Sequence, residues 1–227
     1  MPERSHELFS FLLIVMILYL AVFTGSIRAL EVYFPQWLAN SHHQQMINLS
    51  CFVFQFAVLA YGLRVGRLSV PSLGLHVKRW KASLGHGIIA GLAFLVVITS
   101  IKWLLQRYEI INPLEPIMAF KASPYAWSYP LVVFGQEVLA RGFFLNVAYH
   151  GLPVSQYRGR LSIILSSSFF AMFHLHYQPV MILAALILGL VLGAVYVRSG
   201  NLLGSFVCHL MVGWWALDVL NMSSLLS

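Results

Sequence analysis

Charge is scarce in this chain of 227 residues: Asp, Glu, Lys and Arg together account for 9% of it, and Asp218 is the single aspartate. A soluble domain carries about 25% charged residues, because its surface has to face water. Hydrophobic residues make up 59% of this chain instead. The balance excludes a soluble globular domain, a disordered chain and a nucleic-acid-binding module, and it predicts a membrane protein with several spans.

Cysteine is nearly absent as well. Cys51 and Cys208 are the only two, and both lie within apolar runs. This placement indicates neither a disulfide framework nor a thiolate metal site. A cleavable signal is not indicated either, because bulky residues and no small-residue cleavage site follow the apolar run from Leu8 to Leu20.

Long apolar runs dominate what is present. A helix needs about 20 mainly apolar residues to cross the hydrocarbon layer, with its backbone polar groups bonded internally. The sequence therefore predicts an all-α polytopic membrane protein with a bundle of about seven transmembrane helices. An eighth, interfacial helix within the proline-rich stretch 112–130 is the alternative. The predicted spans are residues 8–27, 46–63, 84–104, 125–148, 161–176, 179–197 and 201–221.

Two pairs of glycines with helical spacing, Gly87/Gly91 and Gly189/Gly193, are expected to let helices pack closely. The distribution of basic residues predicts the orientation, because Lys and Arg prefer cytoplasmic loops. If the N-terminus is inside, the inner segments hold nine basic residues and two acidic ones, whereas the outer segments hold four of each sign. The inner basic residues are Arg4, Arg64, Arg67, Lys78, Arg79, Lys81, Arg158, Arg160 and Arg198, and the outer ones include Lys102.

Glu137 and Arg141 are ionisable residues inside the predicted fourth span. Such residues are costly in a membrane, so they normally face the interior of the bundle and have a function. Their i, i+4 spacing places both on one helix face. Gln136 precedes Glu137 and points about 100° away around the helix. Taken alone, the pair could simply fix helix packing.

His174 and His176 lie near the end of the fifth span, and His209 lies within the seventh. Three helices that each place a titratable group at membrane depth favour a working site over packing. Glu with His is typical of water activation, in which the carboxylate takes a proton and imidazole stabilises the oxyanion. The sequence has no His-Glu-x-x-His, no Gly-x-Ser-x-Gly and no pair of membrane aspartates.

The run Gln136–Phe144, QEVLARGFF, resembles the Glu-Glu-x-x-x-Arg motif of the CAAX-protease and bacteriocin-processing (CPBP) family of intramembrane proteases. Phe170–His174 resembles that family's Phe-x-x-x-His motif, and Asn201–His209 resembles its third motif, His-x-x-x-Asn. The resemblance covers roughly residues 125–221. It implies a single transmembrane domain, 1–227, in which 125–221 is the catalytic helical core and 1–111 contributes helices without motifs.

The resemblance implies a glutamate-type endopeptidase whose catalytic set, by position, is Gln136, Glu137, Arg141, His174 and His209. Residue 136 and His174 would activate water, Glu137 and Arg141 would support them, and His209 would help to stabilise the oxyanion. No cofactor is implied, although two histidines and a glutamate could also hold a divalent metal such as zinc. The implied partners are a membrane-associated protein or peptide substrate and the lipid bilayer, with no nucleic acid.

Two positions depart from the family pattern. Residue 136 is Gln where the family has Glu, and an amide cannot act as a general base. Gly213 stands where the family often has Asn, so one oxyanion donor is missing or supplied elsewhere. Gln136 is either natural, which gives a pseudo-enzyme or one that relies on Glu137, or a deliberate Glu→Gln replacement. The intact remainder of the set favours replacement, and we expect the Gln136 form to be catalytically impaired.

The predicted topology places Glu137 and His209 near mid-span and His174 near the outer end of its span. An outward-facing site resembles bacterial enzymes that trim C-terminal sorting tails (myxosortase-like) more than relatives that cut prenylated cytosolic proteins. We therefore expect a multi-pass protein of a bacterial inner membrane with its N-terminus in the cytoplasm. The alternative is a non-catalytic membrane binding protein, or a small transporter, that uses the same polar cavity. The paired broken helices typical of transporters are not evident.

Overall fold

The computed structural model describes residues 2–38, 41–66, 69–113, 115–118, 120, 128–175 and 179–221. These residues form helices and connecting turns, and no strand occurs among them, which confirms the predicted all-α class. The long helices are α1 (Pro2–Tyr33), α2 (Ser41–Gly66), α3 (Trp80–Arg107), α4 (Tyr129–Gly151), α5 (Arg158–Met172), α6 (Pro179–Ser199) and α7 (Leu202–Val219). Two short helical turns, Pro35–Leu38 and Val70–Leu73, lie between them.

The helices α3, α4, α6 and α7 are long and apolar enough to cross a membrane. The chain is therefore an integral membrane protein. Each of the seven predicted spans coincides with one long helix, but α5 has only 15 residues, fewer than the about 20 that a membrane crossing needs. A count of seven crossings stays a prediction.

Two predicted spans extend beyond their helices near the predicted site. The fifth helix ends at Met172 and not at residue 176, because Phe173–Leu175 form a turn in which the His174 N–H donates to the Ala171 carbonyl at 2.9 Å. The fourth helix begins at Tyr129, with Pro130 in its first turn, where a missing N–H has no cost. Within 112–128 the described residues form no helix, and 114, 119 and 121–127 lie outside the described residues, as does His176.

The central helix is α4, whose apolar window is 72% buried, against 11% for α3 and 33% for α6 and α7. It is α-helical from Tyr129 to Glu137, π-helical over Val138–Leu145 and α-helical again over Asn146–Gly151. Every residue of the π segment is buried. Because a π turn adds a residue to the helical repeat, it shifts which side chains face each neighbour, and such turns are frequent at functional sites.

The glycine pairs lie at close helix contacts. A Cβ atom at Gly87 would collide with the Gly204 backbone on α7, and one at Gly91 would lie 3.0 Å from the sulfur of Met211. On α6, a Cβ at Gly189 would lie 3.0 Å from Cβ of Ser167 on α5. The small residues therefore let α3 approach α7 and let α6 approach α5, the packing function expected of them.

The start of α7 is fixed by a buried polar network. Asn201 caps α7, its side-chain oxygen accepting a hydrogen bond from the Leu203 N–H at 2.9 Å. The Ser83 hydroxyl of α3 donates to the Asn201 carbonyl at 3.0 Å and accepts from the Gly204 N–H at 2.8 Å. This network sets the register of α7 against α3, and with it the position of every residue further along α7.

The charge count above placed Lys102 in an outer segment, but this residue lies within α3. It is 2% exposed, and its ammonium group donates to the carbonyls of Pro116 at 3.1 Å, Ile117 at 3.0 Å and Leu220 at 2.6 Å. The carbonyls replace water around the charge, which makes burial tolerable. Lys102 thus ties the end of α3 to the following connection and to the residue after α7.

Candidate active site

Glu137 is a fully buried carboxylate at the end of the first α segment of α4. Its Oε1 atom accepts a hydrogen bond from Nη1 of Arg141 at 2.8 Å and lies 2.8 Å from Nδ1 of His209 on α7. Its Oε2 atom has no hydrogen-bond partner among the described residues. One oxygen of the carboxylate is thus held by two partners, and the other can accept a further hydrogen bond.

Arg141 joins three helices. Besides its bond to Glu137, it donates from Nη2 to the carbonyl of Gly189 on α6 at 3.2 Å. Its guanidinium carbon lies 4.5 Å from the ring centre of Phe170 on α5, within the range of a cation–π contact. The side chain is completely buried. Its charge is therefore balanced by a carboxylate, a carbonyl and an aromatic face.

Phe170 lies between the two histidines. Its ring is edge-on to the His209 ring at 5.3 Å and tilted against the His174 ring at 4.9 Å, measured between ring centres. Nδ1 of His174 hydrogen-bonds the Phe170 carbonyl at 2.9 Å, which fixes the orientation of that imidazole. All three side chains are buried. His174 and His209 therefore border one apolar side chain that also carries the Arg141 contact.

The structure brings Glu137, Arg141 and His209 into direct contact and places His174 beside them through Phe170. Gln136 is different: it is partly buried, and its amide makes no hydrogen bond to another described residue. Residue 136 is therefore adjacent to Glu137 in the chain, but its amide is not hydrogen-bonded to the other described members of the set.

Two aromatic residues near the site were missed by reasoning from the sequence. Phe170 was considered only as the first residue of the second motif. In the structure, its ring contacts three residues of the predicted catalytic set, Arg141, His174 and His209. Tyr129 was not considered, yet its ring lies against Gly213, where a Cβ would collide with the phenol oxygen and lie 2.6 Å from Cζ. The spacing in the sequence could have indicated Tyr129, because it is seven residues from Gln136 and the two residues share one face of an α-helix.

No group of three His, Cys, Asp or Glu side chains close enough to hold a metal ion occurs in the described part of the chain. The carboxylate of Glu137 already has the Arg141 guanidinium 2.8 Å from Oε1. A cation bound at that oxygen would be repelled by this neighbour. The donor set thus fits hydrogen bonding and proton transfer better than it fits a divalent metal.

Comparison with known proteins gives one family. Residues 118–215 match the family model described as "Type II CAAX prenyl endopeptidase Rce1-like". No curated protein and no solved structure matches the chain. The matched segment holds all five residues of the predicted catalytic set. The resemblance to CAAX-type proteases is confirmed, whereas the myxosortase-like subtype stays a prediction. Over residues 118–215, the chain is similar to the Rce1-like family of type II CAAX prenyl endopeptidases.

Proposed function

We propose that the protein is an intramembrane endopeptidase that hydrolyses a peptide bond near the C-terminal or membrane-proximal part of a membrane-associated protein. One observation carries this proposal: within the family segment, the buried Glu137 carboxylate is held on Oε1 by both Arg141 and His209. A charge of this kind is costly in a membrane, and a working site explains why residues of both α4 and α7 converge on it.

In the proposed mechanism, a carboxylate at residue 136 takes a proton from water while His174 orients that water. Glu137 stabilises positive charge on the imidazole of His209 through the Nδ1 contact, so that the other ring nitrogen can donate a hydrogen bond to the oxyanion. Arg141 fixes the Glu137 carboxylate and balances its charge. This scheme needs no metal, in keeping with the guanidinium beside Glu137.

The Gln136 form is impaired in this scheme, because an amide does not accept the proton of water. Glu137 is a poor substitute, since its Oε1 atom already accepts from a guanidinium and lies against an imidazole. Both partners stabilise the charged carboxylate and so weaken it as a base.

The decisive test is Gln136→Glu. We expect this variant to cleave a peptide substrate in detergent or proteoliposomes at a rate at least about 10²-fold above the starting protein, the range that a positioned general base contributes. Cleavage is measured by mass spectrometry of the products. Gln136→Asn is the matched control, because it keeps an amide and should gain nothing.

Adding Glu137→Gln to the Gln136→Glu variant should remove the gained activity. Equal turnover by the starting protein and the Gln136→Glu variant would refute the assignment of residue 136. If the Gln136→Glu variant binds the peptide without cutting it, the alternative of a non-catalytic binding protein is favoured, because binding needs no carboxylate at residue 136.

The metal-free scheme is tested by metal analysis of the purified protein and by chelator treatment of the Gln136→Glu variant. The scheme predicts no stoichiometric metal in the protein and no loss of cleavage with the chelator.

The substrate class is tested with two peptides of identical sequence, one carrying a prenyl group on a cysteine near the C-terminus. The name of the matched family favours the prenylated peptide, whereas the predicted outward-facing site favours an unprenylated sorting tail. Preference for the unprenylated peptide would support the myxosortase-like proposal, and dependence on the prenyl group would overturn it.

A further inference from the structure

The phenol of Tyr129 occupies the space that a side chain at Gly213 would need. Tyr129 is the first residue of α4, and Gly213 lies in the α segment of α7, where a Cβ would collide with the phenol oxygen and approach ring atoms Cζ and Cε1 to 2.6 and 3.1 Å. The neighbouring Trp214 ring lies 6.4 Å away, centre to centre. The absence of a side chain at Gly213 therefore leaves a recess in the surface of α7, and the Tyr129 phenol fills this recess.

This recess lies on the same side of α7 as His209. Residues four apart on a helix share a face, with Cβ atoms about 5–6 Å apart. Because the Tyr129 oxygen stands at the Cβ position of residue 213, it lies about 6 Å from the Cβ of His209. The phenol hydroxyl thus lies about one helical turn from the residue whose imidazole contacts Glu137.

The same hydroxyl is on the side of α4 that carries residue 136. Seven residues of α-helix turn through about 700°, so Tyr129 and Gln136 point within about 20° of each other and lie about 10 Å apart along the axis. The intervening segment is α-helical, since the π segment begins only at Val138. The α4–α7 interface is also packed at this level by the Phe134 and Phe206 rings, whose centres are 5.9 Å apart.

We propose that the Tyr129 hydroxyl is a catalytic hydrogen-bond donor that, with His209, stabilises the oxyanion formed on the substrate carbonyl. The proposal rests on the peptidase function and adds a residue to it. A phenol donates a hydrogen bond while staying neutral, which suits a membrane site. Glycine at 213 is then required, because any side chain there would displace the donor.

The step is balanced without further reactants. Water forms a bond to the carbonyl carbon and gives one proton to the carboxylate at residue 136, while the carbonyl π electrons move to oxygen. Tyr129 and His209 donate hydrogen bonds to that oxygen and transfer no proton. On collapse, the C–N bond breaks and the leaving nitrogen takes the proton back from the carboxylic acid at residue 136.

The experiment uses the full-length Gln136→Glu variant as parent. Adding Tyr129→Phe should lower kcat by about 10²-fold with KM little changed, the signature of a contact made in the transition state. Tyr149→Phe is the matched control: Tyr149 is exposed near the other end of α4, and its loss should leave kcat unchanged.

A swap separates catalysis from packing. In the parent, Gly213→Ala alone should be as impaired as Tyr129→Phe, because the new methyl group displaces the phenol and supplies no hydrogen-bond donor. Combining Tyr129→Ala with Gly213→Asn should raise kcat at least about 10-fold above Tyr129→Ala alone, since an amide donor then fills the vacated space.

Unchanged kcat in Tyr129→Phe, or no rescue by the swap, would overturn the role of Tyr129 and leave the peptidase function standing. An inactive Gln136→Glu parent would overturn the peptidase function and this role with it. The two failures are therefore distinguishable by assaying the parent first.

Discussion

Glu137 and Arg141 form an ion pair in which both side chains are fully shielded. Removing two charges from water is costly, and their mutual attraction offsets this only when the remaining polar atoms are also bonded. The Gly189 carbonyl and the Phe170 ring contact Arg141, and His209 contacts Glu137. However, Oε2 of Glu137 and Nε of Arg141 are buried without a hydrogen-bond partner among the described residues. The pair is therefore better explained by function than by stability, and the two explanations predict different responses to mutation.

Arg141→Met should destabilise the protein by about 3–5 kcal/mol, because it leaves the carboxylate buried without a counter-charge. Glu137→Met combined with Arg141→Met should recover most of that loss, since a buried pair replaced by apolar residues is often neutral. Thermal unfolding in detergent measures both effects. In the Gln136→Glu background neither variant should cleave peptide. A double variant as unstable as the single one would contradict this assignment.

The sequence is sufficient to predict this pair, because i, i+4 spacing in one helix places Glu137 and Arg141 together. It is not sufficient to predict the contact from His209 to Glu137, which depends on the position of α7 in the bundle. Asn201 and Ser83, polar residues without catalytic character, fix the start of α7 against α3. The family motif indicates that His209 belongs to the site, and the structure adds the atom that it touches.

Among the elements, α4 shows most clearly what hydropathy can and cannot predict. An apolar run predicts a spanning helix over 125–148, and the structure has one over Tyr129–Gly151. The π segment Val138–Leu145 follows from no periodicity in the run, because it depends on neighbouring helices. Gly142 within it lies so close to the Val70–Leu73 turn that a Cβ would be 2.9 Å from the Leu73 carbonyl oxygen.

Substitutions of two glycines on α3 should have opposite effects on stability. Gly87→Ala should lower the free energy of unfolding by about 1–3 kcal/mol, because its Cβ would meet the Gly204 backbone and force α3 from α7. Gly85→Ala has nothing within 4 Å and should gain up to about 1 kcal/mol from helix propensity. Unfolding in detergent measures both.

In the Gln136→Glu background, Gly87→Ala should also lower peptidase activity, because moving α7 moves His209 from Glu137. Gly85→Ala should leave activity unchanged. Equal effects of the two substitutions would mean that the α3–α7 contact does not position the site.

The whole molecule places its polar cluster toward one end of the bundle. Glu137 lies eight residues from the start of α4 and fourteen from its end, and His174 is the second residue after the end of α5. Tyr129 begins α4 at the same end.

The orientation of the chain decides which membrane face this end meets, and the loop charges are the evidence for that orientation. Because Lys102 is buried and not in a loop, the outer loops carry even less positive charge than the count assumed, which strengthens the asymmetry.

Single cysteines at Leu152 and Leu175, introduced after Cys51→Ala and Cys208→Ala, should label from opposite faces of the membrane. Leu152 follows α4 and Leu175 follows α5, so a crossing by α5 separates them. With a cytoplasmic N-terminus and seven crossings, an impermeant maleimide should reach Leu175→Cys in intact cells and Leu152→Cys only after permeabilisation. Labelling of both from one face would show that the 15 residues of α5 do not cross, and labelling of Leu175→Cys only from the cytoplasm would overturn the outward-facing site.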